Sequence, residues 1–379
     1  MGDIAGDLQA QIHVQEGKEA NSPEHANGLR NYIWWVRMAI YSVFVLFGQS
    51  VATLLGRLYY DKGGNSKWMA TLVQPAGFPV LIPFLIFLPT KHQTENNGLN
   101  NAPSRLLLGS VFALLGIFLA AVCMLYSIGL KYLPASTFSL ICASELGFNA
   151  FFSYFLNSQK FTPFIVNSLV LLTISSSLVF NSDDSSEPTK ASKGRYAFGF
   201  TCTVAASAGY ALILSLTQLF FRKILKTESF RVALQLIIYE SLIATSAILV
   251  GLFASGEWKG LNKEMDEFEL GKASYVMTLF WTAVSWEAFS VGIAGLIFEV
   301  SSLFSTVIST VGLPVVPILS VFIFHDKMDI VKIVALLLAI WGFVSFIYQH
   351  YIDDLEFKNQ SNEKASGVSE VSLVERVSP

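Results

Sequence analysis

Residues 129–156 read GLKYLPASTFSLICASELGFNAFFSYFL. The 23 residues from Pro134 to Leu156 contain one charge, Glu145, at the twelfth position of the run. An α-helix of that length covers roughly 30 Å, the thickness of the hydrocarbon core of a bilayer. Asn149 falls one helical turn beyond Glu145 on the same face. Together they offer the edge of a heterocycle a paired donor and acceptor; the alternative is a carboxyl held by Ser and Thr of a neighbouring helix.

Nine further runs of similar length lack a central charge: 34–55, 69–88, 106–128, 162–180, 197–221, 232–255, 274–294, 300–324 and 331–351. The ten runs hold 223 of the 379 residues, and no connection exceeds 18 residues, which leaves no room for a second folded domain. The chain therefore reads as one polytopic all-α membrane domain. Residues 34–180 form a first five-helix unit, 181–196 a solvated linker, and 197–351 a second five-helix unit. The tails, 1–33 and 352–379, read as disordered. The first 31 residues are polar and show no removable signal, so the first span serves as its own targeting signal.

The composition agrees: 53% of residues are hydrophobic and 14% charged, against about 25% charged in a soluble domain. Mean hydropathy is +0.53. With 25 Lys and Arg against 28 Asp and Glu, the net charge of −3 provides no basic surface for nucleic acid. Cys123, Cys142 and Cys202 all lie within apolar runs, which favours packing over a disulfide framework. Lys and Arg divide 13 to 12 between the two sides, so the positive-inside rule assigns no orientation.

That balance is expected if two related halves, each with an odd number of spans, are inserted in opposite senses. At an offset of 166 residues, Gly129, Leu130, Tyr132, Ser136, Phe138 and Ser139 fall on Gly295, Leu296, Phe298, Ser302, Phe304 and Ser305. Chance matches between apolar helices compete with this reading. A true duplication implies ten transmembrane helices arranged as a 5+5 inverted repeat, a design of secondary transporters that place substrate near the midplane.

Ionisable residues inside spans are costly and mark function. More than four residues inside any span, the charges are Glu145, Glu240 and Glu287. A carrier of phosphate or nucleotide needs Arg or Lys in its pocket, and none lies deep enough. Carboxyls and amides suit a neutral or cationic ligand rich in N–H groups, and an acid removed from water is suited to carrying a proton. Proton coupling through Glu145, Glu287 and Glu240 follows as an expectation. Trp286 precedes Glu287 and supplies a flat face for a nitrogenous ring, although adjacent helical residues point about 100° apart. Gln49, Gln74 and Gln218 are the other deep polar groups. Gln74 precedes Pro75 in a span that also holds Pro79 and Pro83, and Pro314 and Pro317 interrupt the ninth span. Such prolines mark either a kink beside a cavity or plain packing. No metal cluster, nucleophile motif or phosphate loop occurs, so the chain is not read as an enzyme and needs no cofactor beyond a proton gradient.

Several blocks in order then resemble one family. They are GRLYYDKGGNSKW from Gly56, QPAGFP from Gln74, SLICASELGFN from Ser139, FFSYFLNSQKFTP from Phe151, GLFASGEW from Gly251, GLIFEVSSLFS from Gly295, GLPVVP from Gly312 and FHDKM from Phe324. Over 34–354 the chain resembles the plant purine permeases of the drug/metabolite transporter superfamily. The resemblance implies ten helices, cytoplasmic termini and proton-coupled uptake of adenine and related compounds such as cytokinins, with pyridoxine or alkaloids as alternatives. The expected substrate site is Glu145, Asn149, Trp286, Glu287, Gln49 and Gln74. The expected setting is the plasma membrane, and the expected state a monomer or weak dimer.

Overall fold

The computed structural model describes residues 23–87, 105–158, 190–225, 230–312 and 315–325, with isolated helical positions between 163 and 174 and between 330 and 348. Within these residues the fold is all helical. Its α-helices are α1 (Pro23–Asp61), α2 (Lys67–Leu72), α3 (Ile82–Phe87), α4 (Arg105–Tyr132), α5 (Ala135–Cys142), α6 (Glu145–Asn157), α7 (Lys190–Phe220), α8 (Phe230–Ser255), α9 (Leu261–Glu267), α10 (Lys272–Glu299), α11 (Ser302–Gly312) and α12 (Val315–Phe324).

Among the described residues, six stretches are long and apolar enough to cross a membrane: Tyr32–Asp61, Leu106–Tyr132, Ala135–Asn157, Lys193–Lys223, Phe230–Ser255 and Lys272–Glu299. The surface pattern agrees with lipid as the solvent. Phe47, Leu114, Val250, Phe253 and Phe322 stand exposed, while Gln49, Asn149, Ser153, Gln218 and Thr306 are buried. A soluble protein shows the reverse, and a hydrocarbon surround demands that polar groups find partners inside.

Ten continuous helices are not what the described residues display. The span expected at 69–88 is in pieces: α2, a turn over Val73–Gly77, a 3-10 turn at Phe78–Leu81, and α3. Pro75 and Pro79 have no N–H to donate, so the helical ladder cannot run through them. The span at 300–324 is helical over Ser302–Gly312 and Val315–Phe324; Leu313 and Pro314 lie outside the described residues. The stretch from Ala135 to Asn157 is likewise jointed. At Ala143–Ser144 the bonds tighten to three residues, from Ser144 N to Ile141 O (3.0 Å) and from Leu146 N to Ala143 O (3.3 Å). Spans expected at 162–180 and 331–351 fall largely outside the described residues. The helices also reach beyond their expected bounds: α1 begins at Pro23, inside the expected tail, and α7 at Lys190, inside the expected linker.

Helix α10 lies along α1, and α4 along α7. Both crossings are close because glycine lines them. A Cβ on Gly48 of α1 would stand 2.7 Å from Ser285 O, and one on Gly209 of α7 would stand 2.7 Å from Val122 Cγ2. Small residues permit such approach where hydrophobicity gives helices no preference for one another over lipid. Helix α8 packs on α4, α6 on α7 and α11, and α12 on α5.

Candidate functional site

A cavity of about 720 Å³ opens where α1, α4, α5, α7, α8 and α10 converge with the Gln74 turn and the start of α6. Its walls are aromatic: Tyr126, Phe138, Tyr210, Trp286 and Phe289. Tyr210 and Phe289 stack at 6.2 Å, and Trp286 meets Phe289 edge-on at 5.5 Å.

Gln49, Gln74 and Glu145 supply polar groups. Gln49 Oε1 accepts from Ser309 Oγ at 2.9 Å, which leaves its NH2 for the cavity. Gln74 is oriented the opposite way. Its Nε2 donates to Cys123 O (3.2 Å) and Ser127 Oγ (2.8 Å), leaving Oε1 as the group it can offer. The Pro75 turn is what brings this side chain to the midst of the bundle. Glu145 follows the joint in the Ala135–Asn157 stretch as the first residue of α6. Its Oε1 has no hydrogen-bond partner, and Tyr126 is its polar neighbour. No Lys, Arg or His is among the lining residues.

Four of the six expected substrate residues thus share one chamber: Gln49, Gln74, Glu145 and Trp286. Asn149 and Glu287 do not line it. Asn149 is fully buried one turn along α6, its Oδ1 engaged by Ser153 at 3.0 Å. Glu287 is turned away from its neighbour Trp286 by the helical step, toward the broken span and α8. A Cβ on Gly77 would stand 2.5 Å from Glu287 Cγ. Ser241 and Glu240 are within interaction range of the acid, yet neither of its oxygens makes a hydrogen bond. Glu240 lines a second space of about 490 Å³, which shares Leu119, Tyr210, Ser241 and Ser290 with the first. Trp281 is 53% exposed and belongs to the outer surface.

The residues that sequence reasoning missed are the other aromatic walls, Tyr126, Phe138, Tyr210 and Phe289. Tyr and Phe number 44 in this chain, so abundance hid the few that matter. Trp286, Phe289 and Ser290 stand at helical spacing, and that was the available signal.

Toward the end of α1 the cavity is continued by a third space, which shares Thr53, Gln74, Tyr126 and Trp286 with it and reaches Tyr59 and Tyr60. An acidic segment fastens this end. Tyr59 Oη donates to Glu264 Oε1, Tyr275 Oη donates to the same oxygen at 3.1 Å, and Ser66 N donates to Glu264 Oε2 at 3.0 Å. Ser66 Oγ caps α2 and donates to Glu257 at 2.6 Å. Arg57 caps α4 through Leu130 O and Leu133 O, at 3.2 and 2.9 Å, and pairs with Asp61.

An all-helical bundle with apolar outer faces and an internal aromatic chamber free of cationic side chains defines a small-molecule membrane transporter. A family model described as purine nucleobase transmembrane transport matches residues 36–356. Two relatives from Arabidopsis thaliana are each 54% identical: probable purine permease 10, with 94% of each chain covered, and purine permease 21, with 95% of each covered. Probable purine permease 11 from the same plant is 50% identical, covering 95% of this chain and 94% of its own. The chain belongs to the purine permease family; it is a multi-pass membrane transporter and not an enzyme.

Proposed function

We propose that this chain imports adenine and related purine derivatives such as cytokinins together with a proton, and that the aromatic chamber is its substrate site. The observation that carries the reading is the polar set inside aromatic walls: the Gln49 NH2, the Gln74 Oε1 and the Glu145 carboxyl, with no cation in the lining. A purine presents ring nitrogens that accept and N–H groups that donate along one edge, and two flat faces. Amides and a carboxyl serve the edge, and Tyr126, Tyr210 and Trp286 serve the faces. An ionised, unpaired carboxylate is costly in this setting, so Glu145 crosses with a proton. Glu287 and Glu240, both buried, are secondary candidates for the same role.

The architecture we attach to this reading is the ten-helix 5+5 inverted repeat. Displaced by 166 positions, α1 falls on α7, α4 on α10, and the pair α5 and α6 on α11 and α12. The pairing of α10 with α1 then corresponds to that of α4 with α7. Gly129 faces Thr203 of α7 as Gly295 faces Tyr41 of α1. The protein is placed in the plasma membrane as a monomer or weak dimer.

One observation favours a second reading. A carboxyl among aromatic rings also suits an organic cation or protonated heterocycle, such as an alkaloid or pyridoxine. Uptake of labelled adenine in yeast lacking purine transport tests both. Uptake that rises as external pH falls and collapses with a protonophore supports the main reading. Uptake indifferent to both removes the coupling, and strong competition by a purine-free cation favours the second.

A further inference from the structure

A polar stripe runs down one face of α6. Glu145, Asn149, Ser153 and Asn157 follow at intervals of four, on one side of a helix with 3.6 residues per turn. Their exposures are 6%, 0%, 0% and 7%. The neighbouring helices α7 and α11 meet the stripe with polar groups of their own. Ser153 Oγ donates to Asn149 Oδ1 and lies 3.4 Å from Ser215 Oγ and 3.2 Å from Ser302 Oγ. Ser302 Oγ donates to Gln218 Oε1 at 2.6 Å. At the far end Asn157 Nδ2 donates to Ser215 O at 3.2 Å, and the exposed Arg222 donates to Asn157 O at 3.3 Å. The seam begins at the cavity and ends at a charged group at the edge of the bundle.

Packing alone does not account for it. Asn149 Nδ2, Gln218 Nε2 and Asn157 Oδ1 are buried and without a hydrogen-bond partner. A buried polar group left without a partner is costly. Two orphaned donors and an orphaned acceptor along one seam fit a ligand that both accepts and donates and that is small enough to lie between helices. Water meets those terms.

We infer that the seam is a hydrated proton route between Glu145 and the end of the bundle at Arg222. The inference rests on the proton-coupled reading above. A proton leaving the Glu145 carboxyl passes to the first water; each water and hydroxyl along the seam gains one proton and gives up another, and the last joins bulk water as hydronium. Glu145 is left as the carboxylate. The titratable groups facing Glu145 are Tyr126 of α4, Cys142 of α5 and Tyr210 of α7. Helix α11 presents the hydroxyl of Ser302 to the stripe. Glu145 is thus the acid at the head of the seam among the described residues.

The test uses the full chain in proteoliposomes with a trapped pH dye and two readouts. Exchange of labelled for unlabelled adenine needs the loaded carrier to reorient, with no proton released. Adenine-driven acidification of the lumen needs the proton to leave. Wild type is expected to show both; no exchange would overturn the substrate reading, and exchange without acidification would overturn coupling and the route with it. Ser153→Val plugs the seam with carbon. It is expected to keep exchange near the wild-type rate and to lose acidification by about tenfold or more, as removal of a proton-transfer group does. Acidification at the wild-type rate would overturn the route alone. Should Ser153→Val fail to fold, Ser302→Ala, which only removes an oxygen, is expected to show the same split; wild-type acidification, or equal loss of both readouts in a folded Ser302→Ala protein, would overturn it.

Discussion

Ser309 of α11 donates a 2.9 Å hydrogen bond to Oε1 of Gln49 of α1, across 260 positions of chain. The bond fixes which end of the amide the cavity receives. With Oε1 held, the NH2 is presented as donor. Ser309→Ala frees the amide to turn and is expected to raise the KM for adenine a few-fold with little change in maximal rate. Gln49→Leu removes the donor, and the buried ligand nitrogen it served is left unpaired. Its kcat/KM is expected to fall about tenfold or more, the usual effect of an unmatched polar group in a site. Concentration series of labelled adenine uptake measure both.

The crossing of α1 and α10 depends on Gly48, where a Cβ would stand 2.7 Å from Ser285 O and 2.8 Å from Phe289 N. Both contacts are backbone, which cannot yield by a rotamer change. Gly48→Val is expected to separate the helices and to destabilise the protein by about 1–3 kcal/mol or more, as in other overpacked cores. The midpoint of thermal unfolding in detergent measures this, and an unchanged midpoint would refute the crossing.

At the end of the bundle where α1 finishes, the Glu264 carboxylate accepts from Tyr59, Tyr275 and Ser66 N. Glu264→Ala leaves the Tyr275 hydroxyl and the Ser66 N–H without an acceptor, at about 1–3 kcal/mol each where they are buried, and leaves Tyr59 Oη the Ser66 carbonyl at 3.2 Å. Hydrogen exchange over 62–69 and 256–269 is expected to quicken there, while exchange in α7 stays as in wild type. The separate pair of Lys62 and Glu269, 2.9 Å apart but exposed, contributes little, so Glu269→Gln is expected to leave the same amides unchanged.

How much of this was legible in the letters varies with the physics involved. The long spans were, because the bilayer imposes a length that composition alone exposes. The joints were not all visible. Pro75 offered a kink beside Gln74 as one of two readings, but Ala143–Ser144 contains no breaker to signal its tightened turn. Glu145 was found because a lone acid in an apolar run is conspicuous. Asn149 and Glu287 were expected beside it in the cavity, and the structure directs both elsewhere: spacing gives the face of a helix, and only the neighbouring helices decide what that face meets. Tyr126 and Tyr210 stayed hidden among many aromatic residues of the same kind.

The most direct test is the adenine concentration ratio reached against an imposed pH gradient, in wild type and in Glu145→Gln. A carboxyl that takes its proton from outside and releases it inside makes the wild-type ratio climb with the gradient. The amide keeps the size and hydrogen-bonding reach of the side chain but cannot exchange a proton, so the variant is expected to equilibrate adenine without concentrating it. A Glu145→Gln protein that still concentrates adenine in proportion to the gradient would contradict Glu145 as the proton carrier.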